Sequence, residues 1–222
     1  MPEHTRPADI ENTSMSIIAQ ELDAKGVTLD PIHGPIVRRV IHATADFDFA
    51  DTLQFTHRAV PLAVEALRRG TTIVTDTNMA LAGISRPSLQ ALGCQAHCLM
   101  AEESVVQMAK EQGTTRASAA MELARQRWPG AILAVGNAPT ALFKIEEQLR
   151  QGLRPALVIA VPVGFVNVVE SKKRIWETCQ ALQIPAIAAM GRKGGSTVAV
   201  AILNGLLYTA ASTLDPSARG WQ

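Results

Sequence analysis

Short apolar runs alternate with longer amphipathic stretches from residue 71 to residue 212. The apolar runs, typical of buried strands, are TTIVTD, CQAHCLM, AILAVG, PALVIAVPVG and PAIAAMG. Between and after them lie stretches with helical spacing, several of which begin at Ser or Thr and end near Gly. Strands that are apolar on both faces are typical of a parallel sheet covered on both sides. The pattern therefore predicts an α/β protein with three layers, α/β/α, around a mainly parallel sheet of about five strands.

The first 70 residues follow a different pattern. Residues 9–26 predict a capped amphipathic helix, whereas residues 33–46 predict a connector or a strand that packs onto the main sheet. The sequence contains no internal repeat, low-complexity tract or interdomain linker. We therefore expect a single domain over residues 1–222, in which residues 1–70 form an N-terminal helical extension packed on the α/β core.

Composition and charge narrow the possible partners. The chain has 222 residues, of which 47% are hydrophobic and 18% charged, so a sizeable core is expected. Its 21 basic and 20 acidic side chains leave no basic excess for nucleic acid. No apolar run approaches the roughly 20 residues of a membrane helix, and the polar N-terminus has no signal-peptide pattern. Three cysteines, an odd number, argue against a disulfide framework and favour a cytoplasmic protein.

Polar loops follow four of the five predicted strands. These loops contain TDTNMALAGIS, GNAPT, PVGFVNVVESKK and GRKGGS, and each leads into a predicted helix. Ligands of open parallel sheets bind beyond the carboxyl ends of the strands, where helix N-termini favour carboxylates or phosphates. Each loop alone could be an ordinary turn or helix start, with Asn137 as a cap, and neither a P-loop nor a dinucleotide motif is present. Together they indicate an anion site on one edge of the sheet.

The segment RRVIHATADFDF, residues 38–49, carries the best candidate for proton chemistry. His42 can donate and accept a proton near neutral pH, although a lone histidine among apolar residues is more often a core residue. Arg38 and Arg39 imply a nearby anion. Asp46 and Asp48 could form an acid/base pair, but such a pair more often caps a turn. The residues alone therefore indicate an enzyme or a binder for a small polyanion with an apolar body.

Metal and nucleophile chemistry have little support in the sequence. His97 lies between Cys94 and Cys98, but a strand directs neighbouring side chains to opposite faces, so buried structural cysteines explain the pattern better. No G-x-S-x-G motif is present. We therefore expect no metal site.

Six segments follow one another along the chain: RRVIHATADFDFA, TDTNMALAGIS, GTTRASAAMELA, AVGNAPTAL, VPVGFVNVVESKK and GRKGGSTVAVAILNGLLY. Together and in this order, they resemble the motifs of the precorrin-8X methylmutase family, also called cobalt-precorrin-8 methylmutase. The N-terminal DIENTSMSII is also similar, so the resemblance extends from about Ile10 to about Tyr208. The sequence departs from the family pattern at Ala43, Phe49 and Met190, where threonine, tyrosine and arginine are expected. Met190 in place of arginine removes one side chain that could bind a carboxylate of the substrate.

The resemblance implies a methyl migration in cobalamin biosynthesis, from C-11 to C-12 of a corrin precursor. The product is hydrogenobyrinic acid or, with cobalt, cobyrinic acid. It also implies that His42 is the proton donor or acceptor, that no cofactor is needed, and that the enzyme is a homodimer with its site near the subunit interface.

The resemblance places Arg39 and Ser16 at substrate-contacting positions. Other substrate-binding candidates are basic side chains, loop residues at the sheet edge and apolar wall residues. These are Arg38, Thr75, Asp76, Thr77, Met79, Arg116, Asn137, Val163, Gly164, Phe165, Asn167, Arg192 and Lys193.

Two other functions compete with this one. A non-catalytic tetrapyrrole carrier could bind the same macrocycle with the same residues but without catalysing the methyl migration. An unrelated phosphate-handling α/β enzyme could use GRKGGS as its anion loop, and it predicts saturable binding of a nucleotide or sugar phosphate.

Overall fold

The computed structural model of the protein describes residues 6–56 and 58–219. Within these ranges the helices are α1 (Pro7–Ala24), α2 (Gly34–Thr44), α3 (Phe49–Thr52), α4 (Ala59–Arg68), α5 (Asn78–Gly83), α6 (Arg86–Ala91), α7 (Glu103–Glu111), α8 (Arg116–Arg127), α9 (Pro139–Arg150), α10 (Val168–Ala181) and α11 (Ser196–Ala210), followed by a 3-10 helix at Pro216–Arg219. The strands are β1 (Leu53–Phe55), β2 (Thr72–Thr75), β3 (Gln95–Cys98), β4 (Ile132–Val135), β5 (Leu157–Ala160) and β6 (Ala186–Ala189).

The six strands form one sheet in the order β1-β6-β5-β4-β2-β3. Strands β2 to β6 are parallel, which confirms the prediction of a mainly parallel sheet. The sixth strand, β1, was not predicted: it adds to the edge antiparallel to β6, with Leu53 opposite Ala189. This pairing brings the connection between α2 and β1 to the carboxyl edge of β6.

Helices cover both faces of the sheet. Along β4, Ile132 and Ala134 belong to a buried cluster shared with α1, α2, α4 and α11. Leu133 and Val135 alternate to the other face and belong to a cluster shared with α7, α8, α9 and α10. Because a strand directs successive side chains to opposite faces, a fully apolar strand is buried on both. The three-layer α/β/α class is therefore confirmed.

The prediction of a connector or strand for residues 33–46 is wrong, since most of this segment is helix α2. Ile36, Val37, Val40 and Ile41 are all buried, a spacing that follows the 3.6-residue period of a helix. Pro35 lies in the first helical turn, where its fixed φ and missing N–H are tolerated. The buried face packs on α11, where an added Cβ at Gly205 would lie 2.9 Å from Cδ1 of Ile36. The absence of a side chain at Gly205 therefore leaves room for Ile36 between the two helices.

The capping residues at the helix N-termini agree only in part with those expected from the sequence. The hydroxyls of Ser85 and Thr115 accept hydrogen bonds from backbone N–H groups at the starts of α6 and α8, which confirms that these two helices begin at a Ser and a Thr. The interpretation of Asn137 as a cap is wrong, because Ala138 occupies that position of α9 and makes no side-chain cap. The N–H groups there are satisfied by Asp76 instead.

Candidate active site

The loops that follow β2, β4, β5 and β6 meet at the carboxyl edge of the sheet, because these four strands are parallel and adjacent. They carry most of the candidate substrate-binding residues. Three of the loops contact each other directly. The hydroxyl groups of Thr77 and Ser196 lie 2.8 Å apart, and an added Cβ at Gly136 would lie 2.8 Å from Cα of Ser196. The edge is therefore a connected surface and not a set of independent loops.

Asp76 holds the loop after β4 in place. Its carboxylate accepts hydrogen bonds of 2.8 Å from the backbone N–H groups of Gly136, Asn137 and Ala138. Burial raises the pKa of Asp76, although these three donors oppose the rise. Only 1% of the residue is exposed, so the geometry assigns Asp76 to holding the loop rather than to contacting a ligand. The exposed side chain in this loop is that of Asn137.

Two threonines flank Asp76 and differ in accessibility. Thr75 is fully buried, and its hydroxyl donates to the carbonyl of Thr77 at 3.0 Å. Thr77 is half-buried and caps α5 by accepting a hydrogen bond from the N–H of Ala80. Thr75 therefore shapes the end of β2 from inside the fold, while Thr77 lies on the surface of the edge.

Lys172, which the sequence reasoning did not select, lies beneath the loop after β6. The side chain is fully buried on α10, and its ammonium donates hydrogen bonds to the carbonyl oxygens of Gly191 (3.0 Å) and Lys193 (2.7 Å). A signal was present in the sequence. Lys172 falls on the helical face defined by the buried residues Val168, Ile175 and Cys179, where a lysine needs partners.

Lys193 connects this loop to the segment after α2. Its ammonium lies 2.7 Å from a carboxylate oxygen of Asp46 and 2.6 Å from one of Asp48. These two carboxylates raise the pKa of Lys193, while Lys193 lowers the pKa of Asp46. Asp46 also accepts a hydrogen bond from the N–H of Asp48, which confirms its role as a turn cap. The charge of Lys193 is therefore already balanced inside the protein.

Arg39 faces an internal carboxylate. Glu11, only 6% exposed, lies between Arg39 at 2.5 Å and Arg219 at 2.9 Å, and the ring of Tyr208 packs against both guanidinium groups. Burial opposes ionisation of Glu11, but the two arginines lower its pKa below the usual value. The anion inferred from the paired arginines is thus, for Arg39, a residue of the same chain.

Three other basic candidates have no acidic partner among the described residues: Arg38, Arg116 and Arg192. Arg38 is half-buried and packs near Gly34, while Arg116 is exposed at the start of α8. The guanidinium of Arg192 lies 5.5 Å from the ring centroid of Phe165. These cations retain their full charge for an external anion.

His42 lies in the last turn of α2, and the segment that follows is held against the loop after β6 by Lys193. The side chain is exposed, and within the described ranges neither ring nitrogen has a hydrogen-bond partner. Partial burial of the ring, followed by the charge of Arg39, lowers the pKa of His42 below its ordinary value. The imidazole is therefore mostly neutral at pH 7 and open on both nitrogens.

Large apolar side chains are exposed around the edge loops. Phe165 is 82% exposed, Val166 78%, Met79 70% and Val163 49%. Gly164 and Asn167, in the same loop, both adopt positive φ, and the side chain of Asn167 does not cap α10. Ser16 lies on the exposed face of α1, which packs against α2, and its hydroxyl donates to the carbonyl of Asn12. The edge thus combines apolar and cationic groups.

The model of the precorrin-8X methylmutase family matches residues 9–209 of this sequence. The chain belongs to the precorrin-8X methylmutase family. Members of this family are intramolecular methyl-shifting isomerases of cobalamin biosynthesis. The match contains all the candidate site residues.

Individual relatives of the precorrin-8X methylmutase family are similar over nearly their whole length. A cobalt-precorrin-8 methylmutase of Leptospira interrogans is 42% identical over 204 residues, which cover 90% of this chain and 92% of the relative. One from Salmonella typhimurium is 41% identical, covering 91% and 95%. The solved structure of a Thermus thermophilus precorrin-8X methylmutase superposes with a TM-score of 0.82 at 40% identity, covering 91% of this chain and 98% of that one.

Within residues 6–56 and 58–219, no helix combines the length and the apolar character needed to cross a bilayer. The same part of the chain contains no group of three or more His, Cys, Asp or Glu side chains arranged to hold a metal ion.

Proposed function

We propose that this protein moves a methyl group from C-11 to C-12 of precorrin-8X, or of its cobalt-containing counterpart, with His42 as the proton donor and acceptor. The product is hydrogenobyrinic acid or cobyrinic acid. The observation that carries the assignment of His42 is its imidazole, which is exposed and, within the described residues, open on both nitrogens near the loop after β6. Family membership supports the reaction.

The reaction is an isomerisation, so substrate and product contain the same atoms and no methyl donor is consumed. His42 lends a proton to the macrocycle, which favours the tautomer from which the methyl group migrates, and then takes a proton back. A lowered pKa makes the imidazolium of His42 a stronger acid when it is charged. Because the migration is intramolecular, most of the remaining catalysis is positioning of the ring and stabilisation of developing charge.

The substrate is a flat apolar macrocycle with acetate and propionate groups around its edge. Arg38, Arg116 and Arg192 are the best-suited carboxylate ligands in the proposal, because their charges are not balanced by acidic partners within the described residues. A guanidinium can bind a carboxylate with two parallel hydrogen bonds. Phe165 and Met79 are suited to contact the face of the macrocycle. Arg39 and Lys193 contribute by ordering α2 and the loop after β6.

The proposal includes a homodimer whose sites lie near the subunit interface. Phe165 and Val166 support it, because two large apolar side chains that are 82% and 78% exposed cost free energy in water unless a ligand or a second subunit covers them. We also propose that residues 1–222 act as one domain, supported by the buried cluster that α1, α2 and α4 share with the sheet. A cytoplasmic location is consistent with the three free cysteines.

Incubation of the purified protein with precorrin-8X, and separately with cobalt-precorrin-8, tests the reaction. We expect at least one of the two substrates to give many equivalents of free product per subunit. Absorption spectroscopy and chromatography measure the product. A coloured complex that stops at one equivalent per subunit would instead identify a carrier. Light scattering of the same sample measures the mass in solution, and a monomer that turns over would overturn the dimeric site.

A further inference from the structure

The loop after β6 is held from one side through three consecutive carbonyl groups. Nζ of Lys172 donates to the carbonyl oxygens of Gly191 and Lys193, at 3.0 and 2.7 Å. The carbonyl between them, that of Arg192, accepts a hydrogen bond of 3.2 Å from the N–H of Gly164. Both donors belong to the segment that follows β5. Three successive peptide oxygens are therefore held by donors of the segment that follows β5.

This arrangement also fixes the direction of three N–H groups. The C=O and N–H of a planar trans peptide point in opposite directions. The N–H groups of Arg192, Lys193 and Gly194 belong to the same three peptides, so they point away from Lys172 and Gly164. In the part of the chain that the structure describes, none of the three donates a hydrogen bond to a protein acceptor. Successive backbone N–H groups without a protein acceptor are available to bind an anion.

Close packing keeps the loop in this conformation. The N–H of Gly195 donates to the carbonyl of Val161 at 2.8 Å, and Gly194 is pressed so closely onto Val161 that an added Cβ would lie 2.2 Å from the carbonyl oxygen. On the other side, the ammonium of Lys193 ties the loop to Asp46 and Asp48. Those carboxylates are bound to a side chain, so they do not compete for the backbone N–H groups.

Lys172 is an unusual residue to find at this position. It is fully buried, and within the described ranges its charge has no carboxylate partner, only the two carbonyl oxygens. Burial lowers the pKa of Lys172 to about 8, so the group is mostly charged at neutral pH at a cost in folding stability. An uncompensated positive charge directly behind three outward N–H groups strengthens their attraction for an anion.

We propose that Lys172 is a positioning residue that holds residues 191–194 so that the N–H groups of Arg192, Lys193 and Gly194 receive one carboxylate of the substrate. The inference rests on the proposed function, which supplies a substrate with a carboxylate fringe. The role of Lys172 is indirect, because its ammonium lies beneath the loop and only the backbone and the side chain of Arg192 face the ligand.

Backbone amide NMR tests the contact in the wild-type protein. In a titration of 15N-labelled protein with the corrin polycarboxylate product, we expect the amide protons of Arg192, Lys193 and Gly194 to move downfield together and to saturate at the stoichiometry of the site. The product with its peripheral carboxylates converted to carboxamides is the matched ligand, and it is expected to produce a much smaller shift. Saturation of the site by the acid form without movement of these three amides would overturn the proposal.

The variant Lys172→Met tests the positioning role, and Lys173→Met, an exposed neighbour on the same helix, is the control. We expect Lys172→Met to raise the Kd of the product and the KM of the substrate about tenfold or more, the effect of losing one charge-assisted contact, with a smaller change in kcat. Lys173→Met should match wild type. An unchanged KM in a folded Lys172→Met protein would contradict the proposal, and if this variant does not fold, the amide titration of wild type decides alone. Failure of wild type to bind or convert any corrin precursor would instead refute the proposed function.

Discussion

Nη2 of Arg39 and Oε1 of Glu11 lie 2.5 Å apart, although the two residues are 28 positions apart in sequence and belong to different helices. Glu11 also pairs with Arg219, near the other end of the chain. This relationship connects α1, α2 and the C-terminal 3-10 helix around a buried carboxylate. It places a charged group of each sign close to His42, whose pKa both of them influence.

Glu11→Gln should destabilise the protein by about 3 kcal/mol, since it leaves two arginines facing a neutral group in a buried setting. The negative charge of Glu11 raises the pKa of His42, so its loss should lower that pKa further. Urea unfolding measures the first effect, and NMR titration of the His42 ring measures the second. Glu21→Gln, at an exposed position on the same helix, is the control and should change neither. A His42 pKa that rises in Glu11→Gln would contradict the electrostatic assignment.

His42→Ala should reduce kcat by roughly 100- to 10,000-fold, the range typical of a general acid or base. Product affinity should remain within a few-fold of wild type, because the carboxylates are bound by other groups. Steady-state kinetics and absorption titration separate the two quantities. His97→Asn removes a histidine that stacks on Trp128 in another part of the fold, and it should leave kcat unchanged. Full turnover by His42→Ala would show that another group transfers the proton.

Several features of the fold could be predicted from the sequence because they are local. Strands β4, β5 and β6 are continuous apolar runs bounded by turn residues, and burial on both faces is what such runs require. Helix α2 was missed for a physical reason. Its Ile36, Val37, Val40 and Ile41 are β-branched, and a preference for strands outweighed their helical spacing. The proline in the first turn and the helical spacing of these four apolar residues indicate the helix more reliably than their β-branched side chains indicate a strand.

The partners of charged groups could not be predicted, because they depend on which distant segments the fold brings together. Nothing in the sequence near Arg39 indicates that Glu11 neutralises it, or that Asp46 and Asp48 neutralise Lys193. The carboxylate of Asp76 accepts a hydrogen bond from the N–H of Gly136, which lies 60 residues later in the sequence. The sequence therefore indicated which loops meet, but not which of their side chains remain available to a ligand.

Gly194→Ala should destabilise the folded protein by roughly 2 to 4 kcal/mol, since a positive φ and steric overlap add to each other. Gly194 has a φ of 158°, and its new methyl group would collide with the carbonyl of Val161. Thermal unfolding monitored by circular dichroism measures the loss. Gly113→Ala is the matched control, because Gly113 also has a positive φ but its Cβ would enter open space. Equal losses in the two variants would show that the contact with Val161 contributes nothing.

Lys172→Met should change the pH dependence of stability in a specific direction. The pKa of Lys172 is lowered from 10.5 to about 8 by burial, so the unfolded state binds more protons than the folded state between these two values. The cost of burying the charge is fully present below about pH 8 and disappears as the pH rises toward 10.5. Wild type should therefore gain stability relative to Lys172→Met across this interval, by at most roughly 3 kcal/mol.

Urea unfolding of both proteins at several pH values between 7 and 10.5, with Lys173→Met as the control, measures this difference. The sign of the difference at any single pH also depends on the two carbonyl groups that methionine leaves without a donor. Those carbonyls do not titrate, so they shift the whole curve and leave its slope unchanged. A difference in stability that stays constant over the interval would show that the lysine is not held charged in a buried setting, and it would remove the electrostatic support for the loop as an anion site.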